Sequence, residues 1–201
     1  LCAFGLEHGA FVAREIEARL GENEDPWPVL EAVFQDPQRL LSREAARSIM
    51  PVMQRKWTAL REERRALLKL LSRFSLTPSQ AEMLYDPDKR EDRGISCSDG
   101  DILRNPYLVY ELTRLTGEPV SIQTVDQGVW PDAVIREKHP LASPSALEGT
   151  NDPRRVRALV VNVLEEAASQ GHTLLPQRDV VQLVRSLEVE PACHLDADLL
   201  A

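Results

Sequence analysis

Ten basic side chains, in two groups, are the residues of this sequence best suited to chemistry, and what they suit is holding phosphate. Arg55, Lys56, Arg61, Arg65, Lys69 and Arg73 share a stretch with Met53, Trp57, Leu60, Leu67, Leu71 and Phe74. Those apolar residues fall on a three-four repeat, which predicts one long helix over 51–74, its stripe broken once by Arg64, with cations on the other faces. Arg and Lys contacts to the phosphate backbone dominate nucleic-acid affinity, so the strip can track a strand. It can equally be a solvated face on which Glu62 and Glu63 partly pair with neighbouring arginines, the reading that composition alone favours. The second group is Arg104 with Arg154, Arg155 and Arg157. The last three crowd the first turn of a helix predicted to start at Asp152-Pro153, where the dipole ordinarily favours acids. Either they join exposed N–H groups in holding a phosphate, or they pair with acidic segments of the same chain.

Bond-making chemistry has less support. There is no Gly-x-x-x-x-Gly-Lys-Ser/Thr and not even a Gly-Lys pair, so no phosphate-cradling loop is present. His-Glu-x-x-His, Gly-x-Ser-x-Gly and Cys-x-x-Cys are also missing. Cys193 and His194 adjoin, but a metal would need two more ligands, and His172 and Asp196 stand at no recognisable spacing from them. His172, between Gly171 and Thr173, is expected to donate a hydrogen bond that fixes an inter-helix turn. Cys2, Cys97 and Cys193 are odd in number and far apart, and read as reduced thiols of a cytoplasmic protein. The expectation is a segment that is not an enzyme by itself and holds no metal or cofactor.

The elements that position the basic residues must come from a chain of 201 residues, 43% apolar and 28% charged, ordinary globular usage with enough length to bury a core. No window approaches the roughly twenty apolar residues of a membrane span, and the start at Leu1-Cys2-Ala3 reads as a fragment cut from something longer. The net charge of −8 is unevenly spread: residues 1–36 carry −6, 37–75 carry +7, 76–152 carry −7 and 153–201 carry −2. One basic block stands between acidic ones.

Helix signals recur along the chain. Val12, Ile16 and Leu20 mark an amphipathic helix over about 10–20, stopped by Gly21. Val29, Leu30, Val33 and Phe34 mark a short helix after Trp27-Pro28, and Asp36-Pro37 starts another. Thr77-Pro78-Ser79-Gln80 is a capping box with proline at the first helical position. Asp86 to Gly94 is expected to be a charged, mobile loop crossing between subdomains. Ser98 to Asp101 starts a helix that ends at the Asn105-Pro106 corner, where another begins and runs to about Leu115. Val120, Ile122 and Thr124 alternate and predict a short extended segment. Residues 127–151 read as a long surface connection with Trp130 as a packing anchor. Val156, Leu159, Val160, Val163, Leu164 and Ala167 predict a helix ended by Gly171, and Val180, Leu183, Val184 and Leu187 predict a last one. The tail from Glu188 to Ala201 is acidic.

Several of these stretches, in order, carry a resemblance. They are Leu76-Thr77-Pro78-Ser79-Gln80-Ala81 with Leu84-Tyr85, Ile102-Leu103-Arg104-Asn105-Pro106-Tyr107-Leu108, Ile122 to Asp126, Asp152-Pro153-Arg154-Arg155-Val156-Arg157-Ala158, and Gly171-His172-Thr173-Leu174-Leu175-Pro176. Over roughly residues 75–190 the chain resembles the N-terminal region of RecD-like (RecD/TraA-type) DNA helicases. In that family these elements form a helical region of helix-hairpin-helix character ahead of an ATP-driven motor. Here the place of the hairpin holds the charged run Asp86 to Gly94, and Gln123, Thr124 and Val125 replace the family's glycine and aromatic before Asp126.

Taken together, the sequence predicts an all-α or nearly all-α, multi-helical fold with a degraded helix-hairpin-helix-like region and at most one short extended segment. Residues 1–75 are expected to form an N-terminal helical subdomain with a basic long helix, and 76–201 an accessory region preceding a motor outside this chain. The resemblance implies DNA and the motor portion of the same polypeptide as partners, no membrane, and ATP and Mg only in that motor. The alternative function is a protein–protein interaction scaffold without nucleic-acid contact.

Overall fold

Proline, together with the residue before it, sets many of the helix starts. The computed structural model describes residues 1–22 and 24–195, and among them the chain is all-helical, without strands. The helices are α1 Gly9–Glu17, α2 Pro26–Gln35, α3 Pro37–Leu40, α4 Arg43–Ser48, α5 Pro51–Thr58, α6 Glu62–Leu71 and α7 Pro78–Tyr85. They continue as α8 Pro87–Asp92, α9 Asp99–Arg104, α10 Leu108–Thr113, α11 Ile122–Val129, α12 Ala133–Lys138, α13 Pro153–Ser169 and α14 Gln177–Arg185. Proline opens α2, α3, α5, α7, α8 and α13, where its missing N–H costs nothing. The carboxylates of Asp25, Asp86 and Asp152 accept from the backbone N–H two residues on.

Four expectations are corrected. The single helix over 51–74 is two, α5 and α6. Thr58 turns its hydroxyl back onto the Gln54 carbonyl (3.0 Å), a bond that bends helices, and Arg61 is extended at φ −64°, ψ 151°. Glu62 and Glu63 then sit in the first turn of α6, where the dipole favours them. The charged run 86–94 is not a loop but contains α8, started by Asp86-Pro87 under the same capping rule that opens α2. Its Arg90 is buried against the Leu84 carbonyl (2.9 Å) and the Asp99 carboxylate. The extended segment at 120–124 is the start of α11: Ser121 accepts from the Thr124 N–H (3.1 Å), and Ile122, Val125 and Val129 are buried on one face. Burial at helical spacing overrides three alternating residues. The connection 127–151 correspondingly begins inside α11 and carries α12, capped by Asp132.

The turn after α13 is closed by main chain rather than by the His172 side chain. Gly171, at φ +90°, donates to the Ala168 carbonyl and the His172 N–H donates to that of Ala167, both 3.0 Å. The His172 side chain is exposed. At the Asn105 corner, Asn105 accepts from the Tyr107 N–H (3.2 Å), and α10 follows from Leu108.

One apolar core runs from Leu6 to Leu195. In its N-terminal part Trp57 stacks on Phe34 at 4.2 Å and meets Phe4 edge-on at 5.2 Å. α6 packs against α7 and α9 across the expected 75/76 boundary, and Arg64 bridges there to Asp99 (2.9 Å). Farther on, α11 packs on α10 and α13, and α13 on α14. Gly128 brings α11 hard against Phe74, because a side chain there would overlap the Phe74 ring. Of the acidic tail, Cys193 and Leu195 are buried, and residues 196–201 lie outside the described ones. No helix among the described residues is long and apolar enough to cross a membrane.

The box that starts α9 yields a pH prediction. The Ser98 hydroxyl, its N–H (2.9 Å) and Arg104 all hold the charged form of Asp101 and bring its pKa down to about 2. A pKa depressed in the folded state means a contribution present above the ordinary carboxylate pKa and lost as pH falls through about 2. Ser98→Ala is expected to return the Asp101 titration toward the ordinary range, so that the contribution is lost at higher pH. Carboxyl-carbon NMR titration reads this directly.

Candidate nucleic-acid interface

The break between α5 and α6 distributes the first basic group. Arg55 and Lys56, in the last turn of α5, and Arg61, at the break, are exposed and have no ion pair among the described residues. Arg65 turns inward: it pairs with Glu31, donates to the Trp57 carbonyl (3.0 Å) and lies 5.0 Å above the Trp57 ring. Lys69 and Arg73, at the C-terminal end of α6 and just beyond it, line a cavity with residues of α11, of α12 and of the chain after α12.

There they meet residues from distant parts of the chain. Arg73 donates from Nε to the Gly128 carbonyl (2.9 Å) and from Nη1 to the His139 carbonyl (3.0 Å). Among the described residues it faces no carboxylate within ion-pair distance, and partial burial pushes its pKa down. The Lys69 ammonium stands 5.3 Å from the Trp27 ring centre. Lys138, in the last turn of α12, completes the set. Lys69, Arg73, Lys138 and Trp27 line one cavity of about 600 Å³, with Asp25 as its sole carboxylate among the described residues. The Asp25 carboxylate is already engaged as the cap of α2.

Three cations without ion pairs among the described residues, one of them partly desolvated, attract an anion more strongly than the same charges in open water. Of the lining hydroxyls, Ser72 donates to the Lys69 carbonyl (2.8 Å) and Ser145 to the Leu103 carbonyl (2.7 Å). The arrangement can hold an anion against an aromatic face.

The second basic group is placed differently. Arg154 spans Asp152 (2.8 and 2.9 Å) and the carbonyls of Arg104 (2.6 Å) and Ala146 (2.7 Å), stapling the end of α9 and the 144–146 segment to α13. Arg155 is fully buried in a two-pronged pair with Asp126, both arms 2.8 Å, and its other donors reach the Thr150 and Pro191 carbonyls. Arg157 is exposed but reaches both oxygens of Glu111 at 3.1 Å, and Arg104 pairs with Asp101. Of the two readings open for the arginines of α13, internal pairing is the one the coordinates display, and Arg155 has no surface to offer a phosphate.

Trp27, Lys138 and the two main-chain carbonyls are the parts of the cleft that the sequence did not suggest. Lys138 stands in a stretch read as connection and Trp27 at a helix start, and no local pattern links either to α6. A larger cavity of about 1010 Å³ lies beside Trp130, but its walls include Asp126, Asp132, Glu188 and Glu190, the wrong sign for a phosphate. Trp130 itself is partly buried, with the guanidinium groups of Arg136 and Arg155 at 5.2 and 5.7 Å from its ring centre. Comparison with family models, curated proteins and solved structures returned no match.

Proposed function

We propose that this chain is an accessory N-terminal domain of a RecD-like DNA helicase, contributing non-specific phosphate contacts to DNA and packing against an ATPase motor in the same polypeptide. The observation that carries the DNA part is the convergence of Lys69, Arg73 and Lys138, without ion pairs among the described residues, on a cleft beside Trp27. The helicase part rests on the ordered sequence resemblance over residues 75–190. Arg55 and Lys56 on α5 and Arg61 at the start of α6 are further exposed cations that could meet phosphates. On this reading the protein works in the cytoplasm, and ATP and Mg serve the motor.

The test is fluorescence anisotropy of labelled single-stranded and duplex DNA at low and near-physiological salt. Affinity is expected to fall linearly on a log–log plot, each phosphate contact steepening the slope by about 0.7 for single strands and about 0.9 for duplex. Lys69→Glu with Lys138→Glu is expected to weaken binding and flatten that slope, whereas Arg14→Glu on α1 leaves both unchanged. Undetectable or salt-independent binding at low salt overturns the reading.

A second reading, a protein-binding scaffold, is favoured by a different surface. Phe11 and Met50 are 42% and 55% exposed and line a cavity of about 580 Å³ beside Leu6 and Met53. It predicts that the double charge reversal leaves DNA affinity unchanged.

A further inference from the structure

We propose that the cleft beside Lys69 and Arg73 receives an unpaired nucleobase, so that the domain prefers single-stranded to duplex nucleic acid. This rests on the phosphate reading above and adds what lies behind it. Pro26, Trp27 and Ser72 line not only the basic cavity but also an adjoining one of about 370 Å³. The walls of that second cavity are Phe4, Ile16, Leu20, Leu30, Trp57 and Leu68. Glu17 is its sole charged lining side chain among the described residues, and Leu1 brings the N-terminal amine to the same wall. Trp27 thus belongs to a charged compartment on one side and an apolar, aromatic one on the other.

A nucleotide has the same two-part character, a phosphate beside a flat apolar ring. Trp27 and Trp57 are nearly parallel, at 14°, but their centres are 6.2 Å apart, against 4.2 Å for Phe34 and Trp57. Trp27 is half-buried, and its pairing with Trp57 is wider than that of Phe34 with Trp57. In a duplex the base faces are already stacked, so only an unpaired base can use the apolar compartment while its phosphate meets Lys69, Arg73 and Lys138. Stacking on an aromatic face tolerates any base, which suits binding without sequence preference.

The test compares, by anisotropy, a single strand, a strand of the same length with abasic sugars, and a blunt duplex, each titrated at several salt concentrations. The abasic strand keeps the phosphates and loses the rings. The wild-type protein is expected to bind the base-bearing strand about tenfold or more tighter than the abasic strand, with equal salt slopes, and the duplex no tighter than the abasic strand. Trp27→Leu is expected to bind both strands at the abasic affinity, and Trp27→Phe to keep most of the preference. Equal, salt-sensitive binding of the two strands by the wild type overturns the base site and leaves the phosphate reading standing. Absence of binding to either overturns both. Should Trp27→Leu fail to fold, quenching of wild-type tryptophan fluorescence by the base-bearing strand alone supports the site, and equal quenching by the abasic strand sinks it.

Discussion

Arg155→Met is expected to destabilise the fold by about 3–5 kcal/mol, the usual cost of removing one partner from a buried ion pair. Asp126 is 2% exposed and would keep only the Tyr107 hydroxyl, at 2.7 Å, as a side-chain donor. The carbonyls of Thr150 and Pro191 would lose a donor as well, loosening the segments on either side of α13. Burial and the neighbouring Asp126 carboxylate push the Tyr107 phenol far above its ordinary range. Tyr107 therefore remains a donor at any pH the protein meets, and Tyr107→Phe is expected to cost less, about 1.5–3 kcal/mol for a hydrogen bond to a charged group. Urea unfolding monitored by circular dichroism separates the cases: both variants should shift the midpoint, Arg155→Met further. A loss below about 1 kcal/mol for Arg155→Met would mean that the pair barely offsets its own desolvation, as replacing both charges together often reveals.

Gly128→Ala is the second large effect expected. Helix propensity alone would favour alanine in α11 by roughly 0.5–1 kcal/mol. Packing reverses the sign, because the added carbon would overlap the Phe74 ring and stand 2.8 Å from the Arg73 carbonyl oxygen. The ring and the end of α6 must both move, at about 1–3 kcal/mol or more for overpacking. The same step moves the Gly128 carbonyl that accepts from Arg73 Nε. Unlike most core substitutions, Gly128→Ala should therefore lower stability and, on the proposed DNA reading, DNA affinity together. Unfolding midpoints and anisotropy on one preparation check this, and an unchanged midpoint would refute the close approach of α11 to α6.

Much of the helix framework was legible because its signals are local. Thr77-Pro78, Asp152-Pro153 and Gly171 announce starts and a stop through the groups that satisfy orphan N–H and carbonyl positions, and the structure puts them to that use. The errors came where a local signal was weak or incomplete. The three-four repeat of 51–74 persists through Leu60, yet the chain turns there, since Thr58 and the acidic pair Glu62-Glu63 favour a stop and a restart. Asp86-Pro87 is as good a start as Asp152-Pro153, but the charged residues after it masked the helix. Half of the candidate cleft, Lys69 and Arg73, was visible as basic residues on a helix. The rest depends on α11 and α12 returning to the end of α6, a long-range fact that no spacing encodes.

The acceptors that aim Arg73 are the carbonyls of residues 128 and 139, and every residue type carries a carbonyl. On that side the guanidinium meets main chain rather than side chains, so what aims it is the path of the backbone through 128 and 139. Chains that share this arrangement can therefore differ widely in their letters. What they must preserve is length, because one residue gained or lost between 128 and 139 would swing an acceptor away from the cation.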